Sequence, residues 1–407
     1  MVTQFGTGTE PDLDLADPAF WRRPPRQRLD AFRQLRRRDR PVYFGAAGTG
    51  FHALVRHGDV VTASRKPEIF ISGPGVTTPR PPRWVRFAFG DSMVNLDDPR
   101  HARMRGVVAR AFTPRVVARI SQEVTRVATG IVDDVIARRP DDFVAPVAGR
   151  LPFEVICAMM GIPEGYRREV LDQLDRTTAH TGGRRLRIPG KGLRALARLH
   201  RVVGRVGRER RRAPVDDLIS ALVTADVEGK RLNSRELGSF FSLLLVAGVE
   251  TTRNAIAHGL HLLTAHPEQR SLLMSDIDRY AGGFVDEVVR FASPIIQFRR
   301  TLACDYELGG QPMRAGEDVV LFYPSANRDE AVFAQPDAFD ITRRPNPHVG
   351  FGGGGPHFCL GTSLARQEMT VLFRELLTRL PEIRSVGEPE LIPSNFDNRV
   401  GRLPITF

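Results

Sequence analysis

Cysteine and lysine are nearly absent from this 407-residue chain. Its three cysteines, Cys157, Cys304 and Cys359, stand far apart and in no C-x-x-C spacing. That excludes a disulfide framework and a zinc-finger type of site, and it points to a reducing compartment. Lys66, Lys191 and Lys230 are the sole lysines, so the net charge of +12 comes almost wholly from arginine. The arginines are spread along the chain without a nucleic-acid-binding motif, so no nucleic-acid partner is expected; the positive surface suits an acidic electron-transfer partner better. No apolar run approaches the ~20 residues that span a bilayer, and no apolar N-terminal segment leads to a cleavage site. The expectation is a bacterial cytoplasmic protein, monomeric and without a membrane anchor. No linker, charge block or repeat divides the chain. Residues 1–407 read as one domain, with a β-rich N-terminal part over about 15–95 and a helical part over about 96–407.

What is present is mostly helical periodicity. Apolar residues recur at three- and four-residue spacing from about residue 99 to 290, as in VVARISQEVTRVATGIVDDVIA. Short β-type runs, PVYF and FHALVRH, precede it, and RRTLACDYELGGQPMRAGEDVVLFYPS follows it. The fold class is mainly α with a small β component. Asn233 and Glu236 have the spacing of a capping box opening a helix through FFSLLLVAGVETTRNAIAHGLHLL to just before Pro267, about 45–50 Å long. Its centre is apolar all round and must be buried, so an acid and an alcohol there, Glu250 and Thr251, need a reason. Ala247 and Gly248 are small enough to let a diatomic ligand approach the backbone. A Thr inside a helix can also bond a carbonyl one turn back and bend the helix. The Gly/Pro content of TGGRRLRIPGKG, residues 181–192, predicts a mobile loop, either a lid or a plain connection.

The most informative stretch is FGGGGPHFCLG, Phe351 to Gly361, directly before the helix-forming run TSLARQEMTVLFRELL. A thiolate near a helix N-terminus is stabilised by unpaired N–H groups and the positive dipole end, so Cys359 reads as a thiolate haem ligand. The glycines let backbone lie flat against a ring and aim N–H groups at the sulfur. A cysteine ligand pushes electron density toward iron-bound dioxygen and favours O–O cleavage. The stretch resembles the haem-binding signature of the cytochrome P450 family through Phe351, Gly352, Gly354, His357, Cys359 and Gly361, with a glycine run one residue longer than in many bacterial members.

That resemblance covers about residues 15–407 and implies the cytochrome P450 fold, with a long central helix crossing a haem b. AGVETT is similar to the family's oxygen-activating stretch, which implies that Thr251 supports bound oxygen, that Glu250 feeds a proton relay and that Ala247 lies against the cofactor. Glu287 and Arg290 are three apart and can pair on one helix face; they match the family's ExxR pair, a structural anchor that works through FAQPDAFDITRR, with Phe333, Pro336, Phe339 and Arg343 in the usual pattern. His101 and Arg105 share a helix face and resemble a propionate-binding pair, and Arg300 and His357 match further propionate ligands. His258 and His261 also share a face but read as ordinary helix residues, with no third ligand near.

AGVETTRNAI, FASPIIQFRRTL, SANRDE and NPHVGFGGGGPHFCLG look most similar to actinobacterial and mycobacterial hydroxylases of methyl-branched lipids. By that resemblance the substrate is the chain end of a methyl-branched fatty acid, isoprenoid lipid or sterol side chain, the oxidant is O2, and electrons come from a ferredoxin and its reductase. Val246, Ala247, Ile295, Ile296 and Phe396 are the resemblance's pocket walls, with a contribution from the loop Ile71–Met93. Tailoring of a polyketide, terpenoid or peptide, a peroxide-driven enzyme and a haem-binding sensor are the other readings.

Overall fold

The computed structural model describes residues 13–80, 92–111, 114–178, 190–215, 217–224, 226–227, 230–231 and 234–407. Asn233, most of the loop 181–192 and part of the loop 71–93 lie outside them, so the expected capping box and lid do too.

A five-stranded sheet runs in the order Val42–Phe44, Phe51–Leu54, Asp318–Phe322, Gln297–Leu302, Phe70–Ile71. The pairing of Phe51–Leu54 with Asp318–Phe322 is parallel, and the other pairings are antiparallel. The sheet therefore joins strands from residues 42–71 to strands from residues 297–322, within and beside the second β-type stretch read from the sequence. Asp318–Phe322 is buried along its whole length, as expected of a strand covered on both faces. One aromatic cluster packs on it: Trp21 stacks on Phe322 at 6.0 Å between ring centroids, and Phe32 sits 5.3 Å from the same ring.

The larger core is helical. The periodic stretch read from the sequence forms one helix, Pro114–Arg138. It packs against the helices Arg150–Met160 and Thr362–Arg379, and the latter also meets Ile277–Ala292. Asp276 starts Ile277–Ala292 by accepting a hydrogen bond from the Arg279 N–H at 3.0 Å. Among the described residues no helix is long and apolar enough to cross a membrane.

The central helix is not continuous. An α-helix over Ser234–Leu245 gives way to one π-helical turn, Val246–Glu250, before the α-helix Thr251–Ala265, which ends just short of Pro267. Such turns put an extra residue into the helix and shift the side chains that follow it. Here the turn spans the small residues and the acid, and Thr251 opens the next segment.

Candidate functional site

The elements above enclose a cavity of about 1450 Å³. The π-helical turn forms one wall, the glycine-rich segment before Thr362–Arg379 another, and the strand ends near residue 295 a third. His101, Arg105, Ala247, Glu250, Thr251, Arg300, Phe351, Gly352, His357, Cys359 and Gly361 all line this one space. Residues nearly 260 positions apart thus meet, as the sequence reading requires.

Cys359 precedes the helix Thr362–Arg379, and Thr362 Oγ1 donates to its carbonyl at 2.8 Å. Its own N–H donates to the Phe351 carbonyl at 2.9 Å, which closes the loop. The glycines serve packing. A Cβ on Gly355 would lie 2.2 Å from the Ser64 carbonyl oxygen, and one on Gly353 2.7 Å from Ser64 Oγ. The loop is thus pressed onto the helix His57–Arg65, and Gly355 also takes φ +74°, a region L side chains rarely adopt.

Thr251 Oγ1 donates to the Ala247 carbonyl at 2.6 Å, the back-bond expected of a threonine inside a helix. Glu250 is 4 % exposed. Arg253 Nη1 stands 3.5 Å from its Oε1 and Arg399 Nε 3.7 Å from its Oε2. Arg399 in turn grips Asp397 Oδ2 at 2.8 and 3.1 Å, and Asp397 accepts from Ser394 Oγ at 2.6 Å. Sequence reasoning missed Arg253, Asp397 and Arg399. The first stands three residues after Glu250 on the same helix and was findable; the other two come from the far C-terminal strand region. Gly248 lines the cavity and has a packing role as well. Its missing Cβ would meet Ile156 Cδ1 at 2.9 Å, so its smallness admits the helix Arg150–Met160 as much as any ligand.

Four basic side chains converge on the same cavity. The His101 and His357 rings are 4.1 Å apart, and His357 Nε2 lies 3.2 Å from Ser72 Oγ. Burial, with Arg300, His101 and Arg105 adding repulsion, pushes the His357 pKa down to about 3. Burial likewise holds His101 and Arg300 below their ordinary values. Buried Arg300 and half-buried Arg105 bring positive charge and the two neutral imidazoles bring hydrogen-bond donors, a set suited to an anionic ligand. The donor set fits a haem: basic groups for two carboxylates, one thiol and apolar walls share one cavity.

Glu287 and Arg290 are fully buried, with Arg290 Nη2 donating to Oε1 at 2.7 Å and Nε to Oε2 at 2.8 Å. Arg290 also donates to the carbonyls of Asn327, Pro336 and Ala338, while Arg343 Nε reaches Glu287 at 3.3 Å. The pair thereby ties its helix to the segment 333–343, where Phe333 lies under the Arg290 guanidinium and Phe339 is core.

Val246, Ile295 and Phe396 line the cavity. Ile296 does not: it is 1 % exposed and packs in the aromatic cluster with Phe20 and Phe322. Neighbouring residues in extended chain point to opposite sides, so one of two adjacent isoleucines had to face the core. Val76, Thr77, Thr78, Pro79 and Met93 bring the described ends of the loop 71–93 to the cavity. His258 Nε2 meets the Asn398 carbonyl at 3.0 Å and His261 Nδ1 meets Ser385 Oγ at 3.3 Å, and no metal-ligating cluster occurs among the described residues.

The cytochrome P450 family model matches residues 195–382. The chain is 44% identical to a methyl-branched lipid omega-hydroxylase of Mycobacterium tuberculosis, over 97% of this chain and 95% of that protein. It is 34% identical to a steroid C26-monooxygenase of the same organism, over 98% and 93%. Among solved structures, a Mycobacterium marinum cytochrome P450 in complex with pseudoionone superposes with a TM-score of 0.91 at 41% identity, covering 98% of this chain and 100% of that one.

Proposed function

Because this chain belongs to the cytochrome P450 family of haem-dependent monooxygenases, we propose that it hydroxylates the terminal carbon of a methyl-branched fatty acid, an isoprenoid lipid or a sterol side chain. Two relatives named for chain-end oxidation, of a branched lipid and of a steroid, support that substrate class. The observation that carries the reading is the cavity itself, in which Cys359, the Glu250–Thr251 pair and the apolar residues Val246, Ile295 and Phe396 face one space.

The cofactor that fits is haem b, whose iron Cys359 would hold and which would supply dioxygen activation and oxygen insertion into a C–H bond. Phe351, Gly352 and Gly361 would shape the Cys359 loop for it, and Ala247 would give it room. His101, Arg105, Arg300 and His357 would hold its carboxylates. The apolar wall orients an alkyl chain by shape, since Val246, Ile295 and Phe396 offer no hydrogen bond, and it keeps bulk water out. Thr251 holds a proton at Oγ1 and is able to turn it from the Ala247 carbonyl toward the cavity. Glu250 takes up and releases a proton at its carboxylate, with Arg253 and Arg399 balancing its charge when ionised. Glu287 and Arg290 are anchors rather than participants. Electrons arrive from a ferredoxin and its reductase, whose acidic surface complements the net charge of +12. The protein works as a cytoplasmic monomer, folded as one domain.

The test is a Soret titration of the purified ferric holoenzyme with methyl-branched fatty acids, sterol-type ketones and macrolides side by side. A low-to-high-spin shift with the branched lipids or the ketones, followed by chain-end alcohol on turnover with a surrogate ferredoxin, is expected. A shift with a macrolide alone overturns the substrate class in favour of natural-product tailoring.

A further inference from the structure

A second cavity, of about 240 Å³, lies beside the first and shares Asp397 and Arg399 with it. Its walls are basic: Arg22, Arg23, Arg28 and Arg399 face it, and Asp397, already gripped by Arg399 at 2.8 Å, is the one acid lining it among the described residues. The cavity also takes in Pro24 and Pro25, the start of the helix Pro25–Arg36, whose first turn carries no acidic residue. Neither proline carries an N–H, and the Arg28 N–H is bonded to the Pro24 carbonyl at 3.2 Å, so this helix start offers the cavity its positive dipole end and not N–H donors.

Arg28 is the unusual group. It is 9 % exposed, and its Nε has no hydrogen-bond partner. Burial lowers its pKa, with no carboxylate acting in the opposite direction. Its positive charge also helps to hold the neighbouring His258 imidazole down to about 4, although burial is the larger cause there. A buried guanidinium with no counter-charge is costly unless something pairs with it. We propose that this second cavity is an oxyanion-binding subsite, in which Arg28, at the N-terminus of the helix Pro25–Arg36, pairs with a carboxylate or phosphate group.

The subsite is distinct from the haem carboxylate residues, none of which lines it. It stands one arginine away from the catalytic acid proposed above, because Arg399 lines both cavities and faces Glu250 at 3.7 Å.

The test is thermal unfolding of the holoenzyme in chloride buffer at constant ionic strength, with added inorganic phosphate, acetate, palmitate or methyl palmitate, for wild type and Arg28→Met. Saturable stabilisation by phosphate or acetate, lost in Arg28→Met, marks a free oxyanion as the ligand. Stabilisation by palmitate and not by its methyl ester, again lost in the variant, marks the carboxylate of a lipid. No saturable response to any of them, or an equal response in Arg28→Met, overturns the subsite. Without added anion, Arg28→Met is expected to fold with an unchanged Soret spectrum and an equal or higher Tm, because it removes an uncompensated charge. A lower Tm there, showing that Arg28 is already paired, also overturns it. None of these readouts depends on turnover, and the phosphate and acetate arms do not depend on the substrate class.

Discussion

Glu287 and Glu250 are both buried carboxylates facing arginines, yet their partners stand at different ranges. Around Glu287 every approach is within hydrogen-bonding distance or close to it: Arg290 at 2.7 and 2.8 Å, the Asp340 N–H at 2.9 Å, Asn346 Nδ2 at 3.1 Å and Arg343 at 3.3 Å. Around Glu250, Arg253 and Arg399 stand at 3.5 and 3.7 Å, outside the 2.7–3.2 Å usual for N–H···O bonds. Arg399 moreover gives its short contacts to Asp397. A carboxylate enclosed by short donors is fixed in its rotamer. One whose arginines stand at longer range is held less tightly by them. The same residue types thus make a tightly paired carboxylate at Glu287 and one with its two arginines at longer range at Glu250.

Arg290→Ala is the strongest challenge to that contrast. It strands a fully buried carboxylate and three carbonyls, and breaking a buried pair in this way costs about 3–5 kcal/mol. Denaturant unfolding is expected to show that loss along with weakened haem retention; a loss below ~1 kcal/mol would put the pair on the same footing as a surface contact.

At the other carboxylate the outcome should invert. Glu250→Gln and Thr251→Ala are expected to leave stability within about 1 kcal/mol of wild type, since Gln keeps the shape of Glu250 and Ala247, whose carbonyl loses the Thr251 bond, is exposed in the cavity. Product formation per electron pair consumed should fall, and for Glu250→Gln the rate of product formation should fall by about 10²-fold, the scale of a lost proton-transfer group. Coupling that stays at the wild-type level in both variants would remove the proposed relay. A large stability loss in Glu250→Gln would erase the contrast from the other side.

The contrast itself was only half visible in the sequence. Glu287 and Arg290 stand three apart on one turn, so their pairing follows from helix geometry. Glu250 gives the sequence reader Arg253 by the same rule, but Arg399 and Asp397 reach it from the opposite end of the chain, where no local pattern points back to the helix. The glycine loop was legible as a loop directly before a helix, with backbone free to lie flat against a ring. Its pressure against Ser64 was not, because close approach depends on how the helix His57–Arg65 is laid down by the sheet. The central helix was foreseen as one rod, since its apolar run has no break; the π-helical turn leaves no mark in composition. Ile295 and Ile296 show the same limit at the scale of one residue: both are apolar, and side chain direction alone separates cavity wall from core.

A third buried carboxylate extends the series to the case with no arginine. Glu368, on the helix Thr362–Arg379, is 2 % exposed, its Oε1 has no hydrogen-bond partner, and burial pushes its pKa up to about 8. Its folded pKa lies above the unfolded value of 4.5, so the folded chain keeps a proton that the unfolded chain releases. The contribution of Glu368 to stability is therefore fully present below pH 4.5 and declines as the pH rises toward 8, by up to about 1.4 kcal/mol per pH unit. Glu368→Gln keeps the shape and removes the titration, so the variant should gain on wild type steadily between pH 5 and 7.5 in paired unfolding curves. A constant difference across that range would mean that Glu368 is ionised in the fold and has found a counter-charge, which would move it from the end of the series to a place beside Glu250.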